Sequence, residues 1–345
     1  MISVVVLAYN SEDFIVECIG SVLHASVRQP DVEVIVLDNG SSDDTWNVMN
    51  RAFGDIGGVV LLRHAIGLGF AGGCNYAGMH ARGEAILFLN DDCVVEVDCL
   101  QAIAMELVAA PQVGILQCAV ATRDGNDWDT LGHFMDAWGF IYRVVADSLN
   151  AERDRVPAAG WRLFGASGAA LVIRRALFEA LGGFDEEFGF LFEESDLCWR
   201  ALLLGAEVVG SGKAVVRHRQ LARYNAPDCP AAFYLETRNR LRSLMKNFEA
   251  LHAVAAVTAQ VISRTMFAGW CAMKGQPGCV VDVIRAIGWN IRQGPSTWRA
   301  RRRVQRTRCI SDADLKSMGR LFRPRLQVLV SGKNRECDVA RLARD

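Results

Sequence analysis

Residues 87–95 read LFLNDDCVV. An apolar run of strand character over 85–89 halts at Asn90, Asp91 and Asp92, and apolar residues then resume. Adjacent like charges repel, and burying them unpaired is costly. Two carboxylates at a strand tip therefore call for a positive partner. Mg2+ or Mn2+ fits, as a hard ion that takes oxygen ligands and shares them with phosphate. The plainer reading is a solvated turn that caps the next helix.

The flanking sequence supplies the sheet to which this strand belongs. ISVVVL (2–7), VEVIVL (32–37) and VVLLR (59–63) are β-branched apolar runs. Amphipathic stretches follow them, over 11–27, 43–53 and from the glycines at 67–72 to Arg82. Near-continuous apolar strands alternating with helices specify an α/β fold with a mostly parallel sheet covered on both faces. Ligands bind such sheets beyond the carboxyl ends of the strands. Three polar clusters fall there: Tyr9-Asn10, Asp38-Asn39 and Asn90-Asp91-Asp92.

From about 113 the pattern loosens. VGILQCAVA suggests another strand, and 122–164, rich in Trp, Gly and Asp, reads as elaborated loops. GASGAALVIRR (165–175) reads as a turn into a strand, 182–205 as a loop opening a helix near Glu194, and VVGSGKAVVRH as a closing strand. After Arg223 the chain reads as helical and basic throughout. A catalytic domain over 1–222 and a helical basic region over 223–345 are expected.

The 345 residues are 51% hydrophobic with a net charge of −1. That balance hides a division: residues 1–229 hold 16 Lys and Arg against 31 acids, and residues 230–345 hold 22 against 8. Such asymmetry turns the basic part toward an anionic partner. Eleven cysteines without a C-x-x-C argue against a disulfide framework and for a reducing cytosol. No signal peptide is expected at Met1. The most apolar helical stretch, 253–273, is broken by Gln260 and Arg264 and is too short in clean apolar length to span a bilayer.

Three further groups carry possible chemistry. GLGFAG (67–72) matches G-x-G-x-x-G between a strand and a helix, the dinucleotide fingerprint, but after the third strand rather than the first. A tight packing turn explains it equally. FEESDLCWR (192–200) offers Glu193, Glu194 and Asp196 at a helix start. These are candidate general bases for an incoming hydroxyl, or simply acids at the positive helix end with Asp196 paired to Arg200. His218 ends the strand AVVRH and becomes a metal ligand only if it lies beside Asp92.

In order, VVVLAYN, VIVLDNGSSDDT, GLGFAGGCNYAG, FLNDDCVV, GASGAALVIRR, GGFDEEF, FEESDLCWRA and VVRH resemble the inverting, nucleotide-sugar-dependent glycosyltransferases of family 2, with the GT-A fold. YLETRNRLRSLMKN (234–247) and RARRRVQRTRCISDADL (299–315) are similar to segments of bacterial rhamnosyltransferases that build O-antigen and related surface glycans. The resemblance implies that Tyr9, Asn10 and Asp38 hold the nucleoside, and that Gly69, Gly72 and Asn75 line the donor site. It places Asp91 and Asp92 at the D-x-D-like motif, with Asp92 and His218 as metal ligands for Mg2+ or Mn2+. Glu194 stands where the family usually has an Asp base, with Glu193 as rival, and Gly168, Asp196 and Trp199 fall on the acceptor side. Gly67 stands where Asn is common.

The resemblance thus implies a metal-dependent inverting transferase. It would move rhamnose or a similar sugar from a nucleoside-diphosphate donor to a glycan or polyprenyl-diphosphate-linked acceptor. Two other readings stay open: an NAD(P)-dependent oxidoreductase using GLGFAG, and an inactive nucleotide-sugar-binding module. Six arginines within 299–308, with Trp270, Trp289 and Trp298 nearby, fit binding to the cytoplasmic face of a membrane. Packing on the acidic domain competes with that reading, and nucleic acid is not expected.

Overall fold

In the computed structural model, which describes residues 1–29, 31–145, 160–219, 230–323 and 336–338, the apolar runs form one large sheet. Strands β1 (Ile2–Ala8), β2 (Val32–Asn39), β3 (Val59–His64) and β4 (Ala85–Asn90) are parallel in the order β4-β1-β2-β3. On the other side of β4 come β11 (Ala170–Arg174), antiparallel to both its neighbours, then β6 (Val113–Thr122), β12 (Glu207–His218) and β10 (Trp161–Arg162). The α/β expectation holds.

Both faces are covered, as the near-continuous apolar strands require. Alternate residues of β1 serve opposite layers. Val4 and Val6 pack with Ile15 and Ile19 of α1 (Ile15–Ser26) and with Leu100 and Ile103 of α4 (Cys99–Ala109). Val5 packs on the other side with the layer of α3 (Gly69–Gly78) and α6 (Glu193–Leu203). Among the described residues, this part also holds α2 (Thr45–Phe53), α5 (Arg175–Leu181) and a single 3-10 turn at Glu186–Phe188.

Two expectations need correction. The segment 122–164 is not only loops: β7 (Trp128–Thr130) pairs with β6, and β8 (His133–Asp136) pairs with β9 (Ile141–Val145) in a second sheet. Its apolar residues come in runs too short for a periodic signal, so partners distant in sequence decide the strands. Nor is the C-terminal part helical throughout. After α7 (Pro230–Asn247), α8 (Ala250–Met273), α9 (Gly278–Arg292), α10 (Gly294–Thr307) and α11 (Asp312–Ser317), strands β13 (Leu321–Phe322) and β14 (Glu336–Asp338) join β8 and β9.

The expected boundary at residue 222 lies outside the described residues. On either side of it the chain shares one core. Phe248, Ala253 and Ala256 are buried in the same cluster as Trp199 and Phe164, and the Phe248 ring meets Trp199 edge-on at 4.5 Å.

Candidate active site

After β4 the chain turns through Asp91 and Asp92 and forms β5 (Cys93–Val95), which runs antiparallel to the end of β12 with Cys93 opposite His218. That register brings Asp92 to His218: Oδ1 lies 3.2 Å from Nε2. The other ring nitrogen, Nδ1, is held at 2.7 Å by Asp129 Oδ2. Asp129 is the extra residue of a bulge in β7, since Trp128 and Thr130 oppose the adjacent Ala121 and Val120 of β6. Bulges re-aim side chains, and here the carboxylate meets the imidazole.

Burial pushes His218 down, but the two carboxylates outweigh it and raise its pKa to about 9. The donor set suits a divalent cation. Asp129 would hold the proton on Nδ1, leaving Nε2 and an Asp92 oxygen to the ion, the carboxylate–histidine arrangement that orients metal ligands. Cys93 lies within the same 4.8 Å group, but it is fully buried and its thiol is raised well above 9, so it stays protonated. Asp129→Asn should weaken Mn2+ affinity about 10- to 100-fold. Isothermal titration reads this directly, and an unchanged affinity would remove Asp129 from the site.

The residues expected to hold the nucleoside lie at the tips of β1 and β2. Asp38 is fully buried. Its Oδ1 accepts from Ser41 N–H at 3.0 Å. Among the described residues its Oδ2 accepts no hydrogen bond, although Arg63 Nε lies 3.2 Å away. A buried carboxylate oxygen without a hydrogen bond is costly, and the Arg63 guanidinium offsets its charge. Asn10, at φ 50°, donates from its backbone to Ser41 Oγ and accepts from Ser42 N–H, fastening the β2–α2 loop. The Tyr9 amide donates to Asp91 Oδ2 at 3.0 Å, which ties the two strand ends together. Arg63, absent from the sequence reading, stands over Trp46 at 5.3 Å.

The glycine-rich turn is largely a packing device. Gly69 has φ +71°, and a Cβ there would meet Gly189 O at 3.0 Å. A Cβ at Gly73 would strike Leu7 at 2.5 Å. The Ala71 amide already donates to Gly189 O, and the Leu68 amide to Asn39 Oδ1. Two amides of this turn that the dinucleotide reading would aim at a pyrophosphate are therefore occupied. A Cβ added at Gly72 would lie 3.2 Å from Leu68 Cβ. Asn75, expected on the donor, is partly exposed, and its amide bonds Phe184 N–H, Phe184 O and Glu186 Oε1, pinning a loop. Gly168 is placed beside Phe70, where an added Cβ would lie 3.3 Å from the ring.

That loop leads to α6. Leu191 and Phe192 have φ of 69° and 75°, a conformation that costs non-glycine residues energy and persists only when neighbours impose it. The imposing group is Asn239 of α7, fully buried, whose amide donates to the carbonyls of Phe188, Phe190 and Leu191. No sequence signal singled it out. The two glutamates that follow differ. Glu193 is buried, its Oε2 has no hydrogen-bond partner among the described residues, and burial and then repulsion from Glu194 raise its pKa well above 4.5. Glu194 is partly exposed, and burial raises it to about 7 against the backbone N–H groups that bond it. The turn at Gly189 that precedes it rests on the start of α3, where the Ala71 amide donates to Gly189 O at 3.1 Å.

The sequence profile of glycosyl transferase family 2 matches residues 3–182, more than half of the chain. The chain belongs to this family. It is 26% identical over 239 residues to an O-antigen biosynthesis protein, RfbC, of Myxococcus xanthus, a match covering 68% of this chain and 18% of that one. It is 30% identical over 92 residues to the UDP-Glc:alpha-D-GlcNAc-diphosphoundecaprenol beta-1,3-glucosyltransferase WfaP of Escherichia coli, covering 27% of this chain and 35% of that one. The matches thus span well under two thirds of these relatives.

Among solved structures, S. aureus TarS 1-349 superposes with a TM-score of 0.55 at 18% identity over 93% of both chains. The mannosyltransferase PcManGT of Pyrobaculum calidifontis, solved with GDP-Man and Mn2+, gives 0.53 at 18% identity over 88% of this chain and 84% of that one. At such identities these likenesses establish the fold, which is GT-A.

The family match ends at 182, before Glu193, Glu194 and His218, and two residues placed on the acceptor side by resemblance are corrected. Asp196 and Trp199 are fully buried. Asp196 Oδ2 meets Arg200 Nε and Lys246 Nζ, each at 2.8 Å. Its Oδ1 accepts from Ser243 and Asn247. Burial pushes its pKa up, but Lys246 and Arg200 outweigh this and hold it below its usual value. Lys246 also meets Asp185 at 2.6 Å, and Arg242 joins the same carboxylate. This network bolts α7 to α6 and to the loop carrying Asp185, and Asp196 pairs with Arg200 along the helix.

Proposed function

We propose that this family 2 chain is a metal-dependent, inverting glycosyltransferase. In this reading a nucleoside-diphosphate sugar is the donor, and a glycan or polyprenyl-diphosphate-linked acceptor of surface polysaccharide synthesis takes the sugar. Rhamnose or a similar hexose is the transferred group, and the enzyme works at the cytoplasmic face of the membrane. The observation that carries the reading is the meeting of Asp92 and His218, backed by Asp129, at the strand ends where Asp38 leaves an acceptor open.

Asp38, with Tyr9 and Asn10, holds the base and orients the nucleoside. Asp92 and His218 hold Mg2+ or Mn2+, which when bound offsets the charge growing on the leaving diphosphate. Glu194 takes the proton of the acceptor hydroxyl as its oxygen bonds the anomeric carbon from the face opposite the departing diphosphate. One displacement inverts the centre. Glu193, sealed in the interior with its carboxyl pushed above the usual carboxylate range by burial and by Glu194, is the weaker candidate for that step. Gly168, beside Phe70, leaves room on the acceptor side.

The direct test is hydrolysis and transfer with a panel of dTDP-, UDP- and GDP-sugars, with and without Mn2+ or Mg2+. Turnover of one donor that stops with chelator is expected. Binding of NAD(P)H in place of every nucleotide sugar would instead support the oxidoreductase, and donor binding without turnover would support the inactive module.

A further inference from the structure

The outer surface of the C-terminal helices has no part in that chemistry. Over its 24 residues α8 turns Leu251, Val254, Ile262, Met266, Trp270 and Met273 to solvent, a stripe about 36 Å long. No charged side chain interrupts it: the one arginine of α8, Arg264, is turned inward to Glu236 at 2.8 Å. The neighbouring α9 adds Val281, Ile284 and Ile291, and α10 adds Trp298. Exposed apolar patches of this extent mark interaction sites.

Charge decides which partner. Residues 250–308 hold ten Lys and Arg against a single acid, Asp282, and that acid lies 3.8 Å from Arg285. Arg299, Arg302, Arg303 and Arg306 are all exposed on α10. A second copy of the chain would bring these like charges together. A nucleic acid would cover the uncharged stripe without using it.

We propose that α8, α9 and α10 form a docking face for an anionic phospholipid bilayer. The apolar stripe enters the headgroup boundary, and the arginines meet the lipid phosphates. Amphipathic helices with tryptophan on one side and arginine on the other bind in this plane. No described helix is long and apolar enough to cross the membrane, so the contact is interfacial. The purpose of the face rests on the lipid-linked acceptor proposed above, but its test needs no turnover.

The full chain is floated with vesicles of phosphatidylglycerol and phosphatidylcholine, or of phosphatidylcholine alone. Binding to the anionic vesicles is expected, falling at least tenfold between about 50 and about 500 mM salt as screening shortens the field. Replacing the four arginines by Gln (R299Q, R302Q, R303Q, R306Q) should weaken binding roughly a hundredfold or more, at about fivefold per charge. Met266→Ser, Trp270→Ser and Met273→Ser together should abolish it at every salt concentration. All seven side chains are exposed, so thermal unfolding should match the wild type; if a variant unfolds, the salt response of the wild type still decides.

Absence of binding at low salt overturns the proposal, as does equal binding to neutral and anionic vesicles. A concentration-dependent dimer that the serine variant abolishes would assign the face to a second copy and also overturn it. Nucleotide-sugar hydrolysis measured without vesicles tests the transferase independently of either result.

Discussion

Glu194→Gln should lower sugar transfer by roughly a thousandfold, within the range expected when a positioned general base is removed. Donor affinity should stay unchanged, because the substitution is isosteric and leaves Asp38, Asp92 and His218 in place. The pH profile gives a second reading. A base works deprotonated, so wild-type kcat/KM should rise with pH and level off above about 7. The variant's residual rate should lack that limb.

Stability moves the other way. A carboxyl whose folded pKa is raised contributes most below its unfolded value, and the contribution is lost as pH climbs through about 7. The variant should therefore be at least as stable as wild type above that point, so unfolding would not explain lost activity. Glu193→Gln, at the buried neighbour, should retain most of the rate. The opposite pattern, with Glu193→Gln inactive and Glu194→Gln active, would transfer the base role.

The second large effect concerns folding. Asp196→Ala leaves Lys246 and Arg200 without a shared carboxylate, in an interior where Asp185 alone must face Lys246 and Arg242. Stranding buried charge in this way costs about 3–5 kcal/mol. The urea midpoint should drop accordingly, with Asp196→Asn between the variant and wild type. The acceptor KM of the surviving folded enzyme should not change, which separates this role from acceptor binding. A large KM change at normal stability would restore Asp196 to the acceptor site.

Much of the fold was legible because its strands carry local signals. The run 85–89 is apolar without a break, and 2–7 and 32–37 are interrupted only by Ser3 and Glu33, a pattern that a sheet covered on both faces uses. Chain order along such a sheet puts Tyr9, Asp38 and Asp92 at one edge, so these residues could be read as one site before any coordinates. Asp129 could not: its role comes from a bulge in a three-residue strand whose partner, β6, is fixed by pairing over distance. Asn239 was equally hidden, since an asparagine within a basic helix carries no mark of the three carbonyls it holds. Asp196 and Trp199 were misplaced for a related reason. Adjacent acids at a helix start read alike in sequence, and only burial separates them.

By itself, then, the sequence determined the α/β class, the sheet edge that carries the site and the charge division of the chain. These follow from periodicity and composition, which act locally. The tertiary structure alone decided that His218 meets Asp92 through the β5–β12 register, that Glu193 is sealed while Glu194 stays accessible, and that α7 braces the strained turn before them. Each depends on contacts between segments dozens of residues apart, and desolvation and strand register arise only when those segments are brought together.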